Sequence, residues 1–125
     1  MWDSAIIQRA IRLHHNSSQY EFQSYIEDSL LTEDNINSWR ACPPRSSIGS
    51  KICTAQWAEE SFEDALEYAY GDENGKEVKN GTILTEDYFK TRLEIVQKHL
   101  AAGAVRLAES LEDIYGSHTQ KQSIL

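Results

Sequence analysis

Histidines are the side chains of this sequence best suited to bind a metal ion or to transfer protons, and it contains four: His14, His15, His99 and His118. A metal site on a helix usually places His, Asp or Glu at i and i+3 or i+4 on one face. One turn before and after His14 only apolar and hydroxyl side chains occur, and His99 lies beside an apolar stripe. We therefore expect surface or partly buried imidazoles, with metal ligation as the alternative.

Carboxylates form a second pattern that could bind a metal ion. They occur in the run Glu59, Glu60, Glu63, Asp64 and Glu67. Carboxylates at i and i+4 converge on one helix face, but this run lacks a histidine, a turn glycine and the calcium-loop spacing. It therefore predicts a solvated helix face rather than a divalent-metal site. Because the sequence also has no Gly-rich phosphate loop, nucleophile elbow or dinucleotide fingerprint, it contains no complete active site of a known motif.

The two cysteines, Cys42 and Cys53, stand eleven positions apart in a stretch rich in Pro, Ser and Gly. A flexible loop could bring them together in a disulfide worth about 2–3 kcal/mol; two separate buried thiols are the alternative. Two glycosylation sequons, which begin at Asn16 and Asn80, also favour a secreted protein. Since the chain opens without the basic and apolar segments of a signal peptide, we expect that its start is missing.

Length and charge restrict the class of protein. The 125 residues, with a formal net charge of −8, are typical of one globular domain. The charge excludes a protein that binds nucleic acid through a basic patch, because such proteins neutralise phosphates with an excess of Lys and Arg. No run approaches the roughly 20 apolar residues of a membrane helix, so no membrane association is expected.

Helical periodicity dominates the chain and predicts an all-α fold. Apolar residues recur at helical spacing in four segments, residues 3–15, 18–30, 55–70 and 86–115. The inward faces of the first two segments are predicted to include Ile6, Ala10, His14, Phe22 and Tyr25. The stretch 32–54 lacks periodicity and predicts a connector. Thr85 is a good N-cap for the last helix, because Glu86 and Asp87 follow it in the first turn.

The last predicted helix is the longest and would span about 45 Å at 1.5 Å per residue. Its apolar stripe consists of Phe89, Leu93, Val96, Leu100, Gly103, Leu107, Leu111 and Ile114. A stripe of this length predicts a long packing partner. Because a glycine in an exposed helix costs about 1 kcal/mol relative to alanine, we expect another backbone to pack closely against Gly103.

Four segments, taken in order, resemble the C-terminal half of the zinc-dependent type I nucleases, which include single-strand-specific nucleases of moulds and bifunctional nucleases of plants. The segments are residues 2–7 (WDSAII), 57–70 (WAEES, then Ala, Tyr, Ala and Tyr at helical spacing), 88–96 (YF, RL and IV) and 100–108 (LAAGAVRLA). The resemblance assigns residues 1–116 to the C-terminal part of a type I nuclease domain and 117–125 to a polar tail. Trp39, Cys42 and Cys53 resemble the plant branch, in which such a cysteine pair forms a disulfide.

The resemblance implies a mostly helical fold similar to bacterial zinc phospholipase C, with a cluster of three zinc ions in the complete enzyme. It implies hydrolysis of single-stranded DNA and RNA to 5′-nucleotides, a 3′-nucleotidase activity and a secretory or vacuolar location, with no protein partner. Zinc supplies positive charge at the phosphate and lowers the pKa of a bound water. An acidic chain is therefore compatible with a nucleic-acid substrate.

One zinc ligand can be carried over residue by residue. The motif is His-x-x-x-Asp on a helix, in which Trp precedes the Asp; Asp3 and Trp2 match it, and Met1 stands at an aliphatic position. The histidine would fall two positions before Met1, so Asp3 is the single predicted metal ligand, with an ordinary helix N-cap as the alternative. We expect the isolated chain to be a C-terminal fragment that binds no stoichiometric zinc and hydrolyses nothing.

Two further interpretations compete with a nuclease fragment. A stand-alone, non-catalytic helical module would use the stripe from Phe89 to Ile114 to bind a partner helix. A relative of zinc phospholipase C would share the fold, but the C-terminal segments resemble the nucleases more closely.

Overall fold

The computed structural model describes residues 2, 4–42 and 53–116, and within these ranges the chain is helical without a strand. The five α-helices are α1 (Ala5–His14), α2 (Gln19–Leu30), α3 (Glu33–Arg40), α4 (Thr54–Asp64) and α5 (Glu86–Leu111). Helix α4 is continued by the π-helical turn Ala65–Ala69, and α5 by the π-helical turn Glu112–Gly116. The predicted all-α class is confirmed, and the predicted tail 117–125 lies outside the described residues.

Hydroxyl side chains fix the starts of three helices. The hydroxyl of Ser18 accepts a hydrogen bond from the Glu21 amide at the start of α2. The hydroxyl of Thr85 accepts from the Tyr88 amide over 3.1 Å at the start of α5. Each bond satisfies a backbone donor that lacks a partner within the helix. The predicted N-cap at Thr85 is confirmed.

Helix α3 corrects the predicted connector over residues 32–54. Thr32 caps this helix by accepting from the Asn35 amide, and the carboxylates of Glu33 and Asp34 lie in the first turn, where they face the positive end of the helix dipole. Two asparagines in eight residues lower the intrinsic helix propensity and conceal the pattern. Burial of Trp39 stabilises the helix through tertiary contacts instead.

The core consists of two clusters that both use α5. The first joins α1, α2 and the first half of α5 through Ile6, Ala10, Phe22, Phe89 and Val96. The second joins α3 to the second half of α5 through Trp39, Ala101 and Ala102. Because alanines present little bulk, α3 approaches α5 closely at this point. Helix α5 is therefore the scaffold on which α1, α2 and α3 pack.

The apolar stripe of α5 is buried only over its first half. Phe89 and Val96 are buried, whereas Leu100, Leu107 and Leu111 are 41%, 60% and 45% exposed. In the second half, the Ala101 and Ala102 face is the one that packs against α3. The prediction of one continuously packed stripe is therefore wrong for this part of the helix.

His14 of α1 and Tyr25 of α2 are predicted to point inward. Both are exposed in the structure.

A disulfide between Cys42 and Cys53 connects the end of α3 to the start of α4, with the two Cα atoms 5.7 Å apart. Cys53 is fully buried. The ten residues 43–52 that it encloses lie outside the described residues. The bond keeps α3 and α4 adjacent, although no regular structure is described between them. None of the described helices is long and apolar enough to cross a membrane.

Candidate functional site

A groove between α4 and α5 lies near the start of the chain and has a volume of about 500 Å³. Its lining is mainly apolar and includes Trp2, Ile7, Ala65 and Val96, with Asp64 and His99 as polar groups. We call it the α4–α5 groove. It lies next to Trp2, the residue before the predicted zinc ligand.

Trp2 is held in place by a relay of two hydrogen bonds. Its indole Nε1 donates to the hydroxyl of Tyr88 over 3.1 Å, and this hydroxyl donates to the carbonyl oxygen of Ala69 over 3.2 Å. Tyr88 is buried in α5, and Ala69 ends the π-helical turn after α4. The relay thus ties the start of the chain to two other elements. Asp3 itself lies outside the described residues, so its role as zinc ligand stays a prediction; Ser4 is the N-cap of α1.

Asp64 and His99 form a polar pair inside the groove. The imidazole Nε2 of His99 donates to Oδ2 of Asp64 over 2.7 Å, and both side chains are about three-quarters buried. The contact is an ion pair when the imidazole is protonated. The sequence predicts a partly buried His99 but not this partner, because 35 positions separate the residues and no local spacing relates them.

Arg92 fixes the chain that leaves the π-helical turn after α4. This buried side chain donates from Nε to the carbonyl of Tyr68 over 2.9 Å and from an Nη to the carbonyl of Gly71 over 2.7 Å. Its guanidinium also lies 4.7 Å from the centroid of the Tyr88 ring, within cation–π distance.

The pKa of Tyr68 is raised above 10.0, first by a hydrogen bond to Glu67 and then by the charge of that carboxylate.

Arg106 forms a second polar contact between α4 and α5. Its guanidinium donates to the Glu60 carboxylate, with the shorter contact at 2.8 Å, and lies 5.4 Å from the centroid of the Trp57 ring. It also donates weakly, over 3.4 Å, to the carbonyl of Trp39. Arg106 therefore connects α5 to both α3 and α4. No pattern in the sequence predicts these contacts of Arg106, because a lone arginine in a helix carries no local signal.

The remaining histidines form no metal site with other described residues. The ring of His14 stacks on that of Phe89 at a centroid distance of 6.5 Å, and the ring of His15 meets the edge of Phe22 at 5.3 Å. Both match the expected surface or partly buried imidazoles. His118 lies outside the described residues.

The acidic run of α4 divides into two faces. Glu59, Glu63 and Glu67 are exposed, as predicted for a solvated face. Glu60 and Asp64 point to α5 and bind Arg106 and His99. Across residues 2, 4–42 and 53–116, no three His, Cys, Asp or Glu side chains lie close enough to hold a metal ion. These residues do not fit a zinc cluster by themselves, and no step of a metal-dependent reaction is assigned to them.

Both glycosylation sequons lie on exposed loops. Asn16 follows α1 with a φ of 51°, and its side chain donates to Glu21. Asn80 precedes Gly81, which adopts a φ of 88°, and Thr82 of the same sequon accepts from the Lys79 amide. Both asparagines are exposed to solvent.

The described structure is a set of helices built on α5, with Trp2 fixed beside the α4–α5 groove. The family model described as S1/P1 nuclease matches residues 1–116, so the chain belongs to the S1/P1 nuclease family. This confirms the resemblance to the type I nucleases and makes the chain a nuclease homologue.

The curated relatives are plant endonucleases. Endonuclease 5 of Arabidopsis thaliana is 32% identical over 119 residues, which cover 94% of this chain and 37% of the relative. Endonuclease 2 of the same plant is 33% identical over 118 residues, which cover 93% of this chain and 37% of the relative. The chain thus spans little more than a third of the length of these relatives. No solved structure gives a significant match.

Proposed function

We propose that this chain forms part of a zinc-dependent nuclease that hydrolyses single-stranded DNA and RNA to 5′-nucleotides and also has 3′-nucleotidase activity. The observation that carries the proposal is the match of residues 1–116 to the S1/P1 nuclease family, whose Arabidopsis members are named endonucleases. In this proposal residues 1–116 belong to one nuclease domain, and 117–125 form a polar tail.

Asp3 is the proposed zinc ligand of this chain. Support comes from the match of Trp2 and Asp3 to the family motif and from the relay that fixes Trp2 against Tyr88. A bound zinc ion supplies positive charge at the scissile phosphate and activates a water molecule. The other ligands belong to parts of the fold outside the described residues, because these contain no cluster of ligating side chains.

The described residues have a supporting role in this function. Tyr88 and Arg92 hold Trp2, which precedes α1, and the end of the π-helical turn through hydrogen bonds to backbone and side-chain groups. Metal ligands must be held within a fraction of an ångström of their productive positions, and residues behind them supply that rigidity. In this proposal the scaffold of α1, α4 and α5 supports Asp3 and performs no chemistry itself.

The isolated 125-residue chain is proposed to bind no stoichiometric zinc and to be inactive. Metal analysis after dialysis, combined with assays on single-stranded DNA, RNA and 3′-nucleotides, tests both statements. Two or three tightly bound zinc ions per chain, or hydrolysis by the chain alone, would contradict them.

A chimera tests the function itself. In it, residues 1–116 replace the aligned region of Arabidopsis Endonuclease 5, and zinc content and hydrolysis of single-stranded DNA are measured. We expect an active enzyme in which Asp3→Asn lowers both zinc content and activity, whereas Asp34→Asn, at an exposed position of α3, changes neither. A folded, zinc-loaded chimera without activity would refute the nuclease assignment.

We also propose that the protein enters the secretory pathway and is glycosylated at Asn16 and Asn80. The disulfide and the exposure of both sequons support this. When the chain is expressed behind a signal peptide in a eukaryotic cell, Asn16→Gln and Asn80→Gln should each remove the mass of one glycan. Unchanged masses for both variants would contradict glycosylation.

A further inference from the structure

The α4–α5 groove continues beyond the part next to Trp2. A second cavity of about 390 Å³ lies along α5 and shares Ser61 and His99 with the first. Together they extend from Val96 to Ser110. At 1.5 Å per residue this is roughly 20 Å, the length of about four turns of a helix.

Large apolar side chains border this groove and are exposed in the described structure. On the α5 side Leu100 and Leu107 line the two cavities. Phe62, Leu66 and Tyr70, at every fourth position of α4 and the turn after it, are exposed as well, but they line neither cavity. Scattered apolar residues are common on protein surfaces, but an extended apolar surface beside a groove is typical of a binding interface.

Gly103 lies in this groove between the two leucines of α5, and it provides an independent observation. A Cβ atom added at Gly103 would have no atom within 4 Å, so no contact among the described residues requires a glycine there. The sequence predicts that another backbone packs closely at this position. The described helices do not supply it. A glycine inside a helix destabilises that helix relative to alanine, so a close approach by a backbone outside the described residues accounts for it.

The relatives indicate where such a backbone comes from. Each curated Arabidopsis relative has nearly two thirds of its length outside the region aligned with this chain. We propose that the α4–α5 groove is the docking surface for that remaining part of the S1/P1 nuclease fold, and that a helix of it crosses α5 at Gly103. This holds whether the remaining part belongs to the same polypeptide or to another. The proposal rests on family membership and not on the proposed hydrolysis.

A binding experiment with the whole 125-residue chain tests this interface. The tagged chain is co-expressed with the part of Arabidopsis Endonuclease 5 that lies outside the aligned region. Co-purification in a one-to-one complex is expected. Gly103→Leu and Leu107→Asp should each weaken the complex about tenfold or more, because they fill or charge the contact. Leu13→Asp, at an exposed position of α1 outside the groove, should leave it unchanged.

Gly103→Ala separates a docking role from a structural one. In the isolated chain we expect this substitution to raise the Tm, because alanine favours the helix and meets open space. In the complex it should weaken binding. A Tm that falls in the isolated chain, no co-purification, or equal binding by Gly103→Leu would overturn the proposal. So would self-association of the chain alone that Gly103→Leu abolishes, since this would make a second copy the occupant.

Discussion

The indole Nε1 of Trp2 donates a hydrogen bond to the hydroxyl of Tyr88, 3.1 Å away, although 86 positions separate the two residues. The same hydroxyl donates to the carbonyl of Ala69, so one buried tyrosine joins the start of the chain, α5 and the end of the π-helical turn. The residue next to the proposed zinc ligand is thus positioned by a helix from the other end of the chain.

Substitution of Tyr88 by Phe should lower the free energy of unfolding by about 1–2 kcal/mol. The substitution removes both hydrogen bonds and leaves the ring in place. The decrease in the free energy of unfolding therefore measures the contribution of the hydroxyl alone. Urea denaturation followed by circular dichroism gives the value. Tyr20→Phe is the matched control, because Tyr20 is exposed; equal midpoints for the two variants would contradict the importance of the relay.

Arg92→Lys should destabilise the protein by roughly 1–3 kcal/mol. The planar guanidinium of Arg92 reaches the carbonyls of Tyr68 and Gly71 simultaneously while it lies against the Tyr88 ring. A lysine ammonium cannot reproduce this geometry, although it retains the charge. Arg12→Lys, at an exposed position of α1, is expected to leave the unfolding midpoint unchanged. A loss of similar size in both variants would mean that the buried contacts of Arg92 contribute nothing specific.

The pair Glu60 and Arg106 should show a coupling energy of about 0.5–1 kcal/mol in a double-mutant cycle with Gln. The side chain of Arg106 is only 13% exposed, which limits screening of this contact by solvent. Glu77 and Lys79 form the control pair, since their side chains are each 70% exposed and their contact is 3.2 Å. Their coupling should be close to zero at physiological salt. A larger coupling energy for Glu77 and Lys79 than for Glu60 and Arg106 would refute the claim that burial strengthens the contact of Arg106.

Replacement of Cys42 and Cys53 by Ala should lower the free energy of unfolding by about 2–3 kcal/mol, because an open loop gains conformational entropy in the unfolded state. A reducing agent should destabilise the wild-type chain by a similar amount and leave the double variant unaffected. Thiol titration of the unfolded, unreduced protein should find no free thiol. Two free thiols would refute the disulfide and remove one support for secretion.

The raised pKa of Tyr68 predicts a loss of stability at alkaline pH. Its cause is first the hydrogen bond to Glu67 and then the charge of that carboxylate. Because the folded state holds the phenol proton more tightly than the unfolded state, the stabilisation is complete below pH 10.0 and disappears as the pH rises through the folded-state pKa. Ultraviolet titration of Glu67→Gln should return the pKa of Tyr68 toward 10.0. Glu63→Gln, with no contribution to this shift, is the control; an unchanged Tyr68 titration in Glu67→Gln would contradict the assigned cause.

Local signals in the sequence predicted most of the helices. The periodicity of α1 and α2 and the N-cap at Thr85 locate three helices to within a few residues. Helix α3 escaped prediction because its asparagine-rich sequence has a weak helical pattern, although Thr32 and the carboxylates after it are an N-terminal signal. Helix α3 thus forms because the burial of Trp39 in the tertiary structure outweighs the weak helix propensity of its sequence.

The sequence by itself determined the all-α class, the family and the position of the single proposed ligand, because helix periods and short motifs are properties of neighbouring residues. Only the tertiary structure decided which half of the α5 stripe is buried, that His99 meets Asp64, and that Tyr88 holds Trp2. These contacts join residues 35 and 86 positions apart, and packing brings such residues together without leaving a pattern in either segment. The proposed close approach at Gly103 rests on both kinds of information: the sequence places a glycine inside a helix, and the fold shows that a Cβ atom there would meet nothing within 4 Å among the described residues.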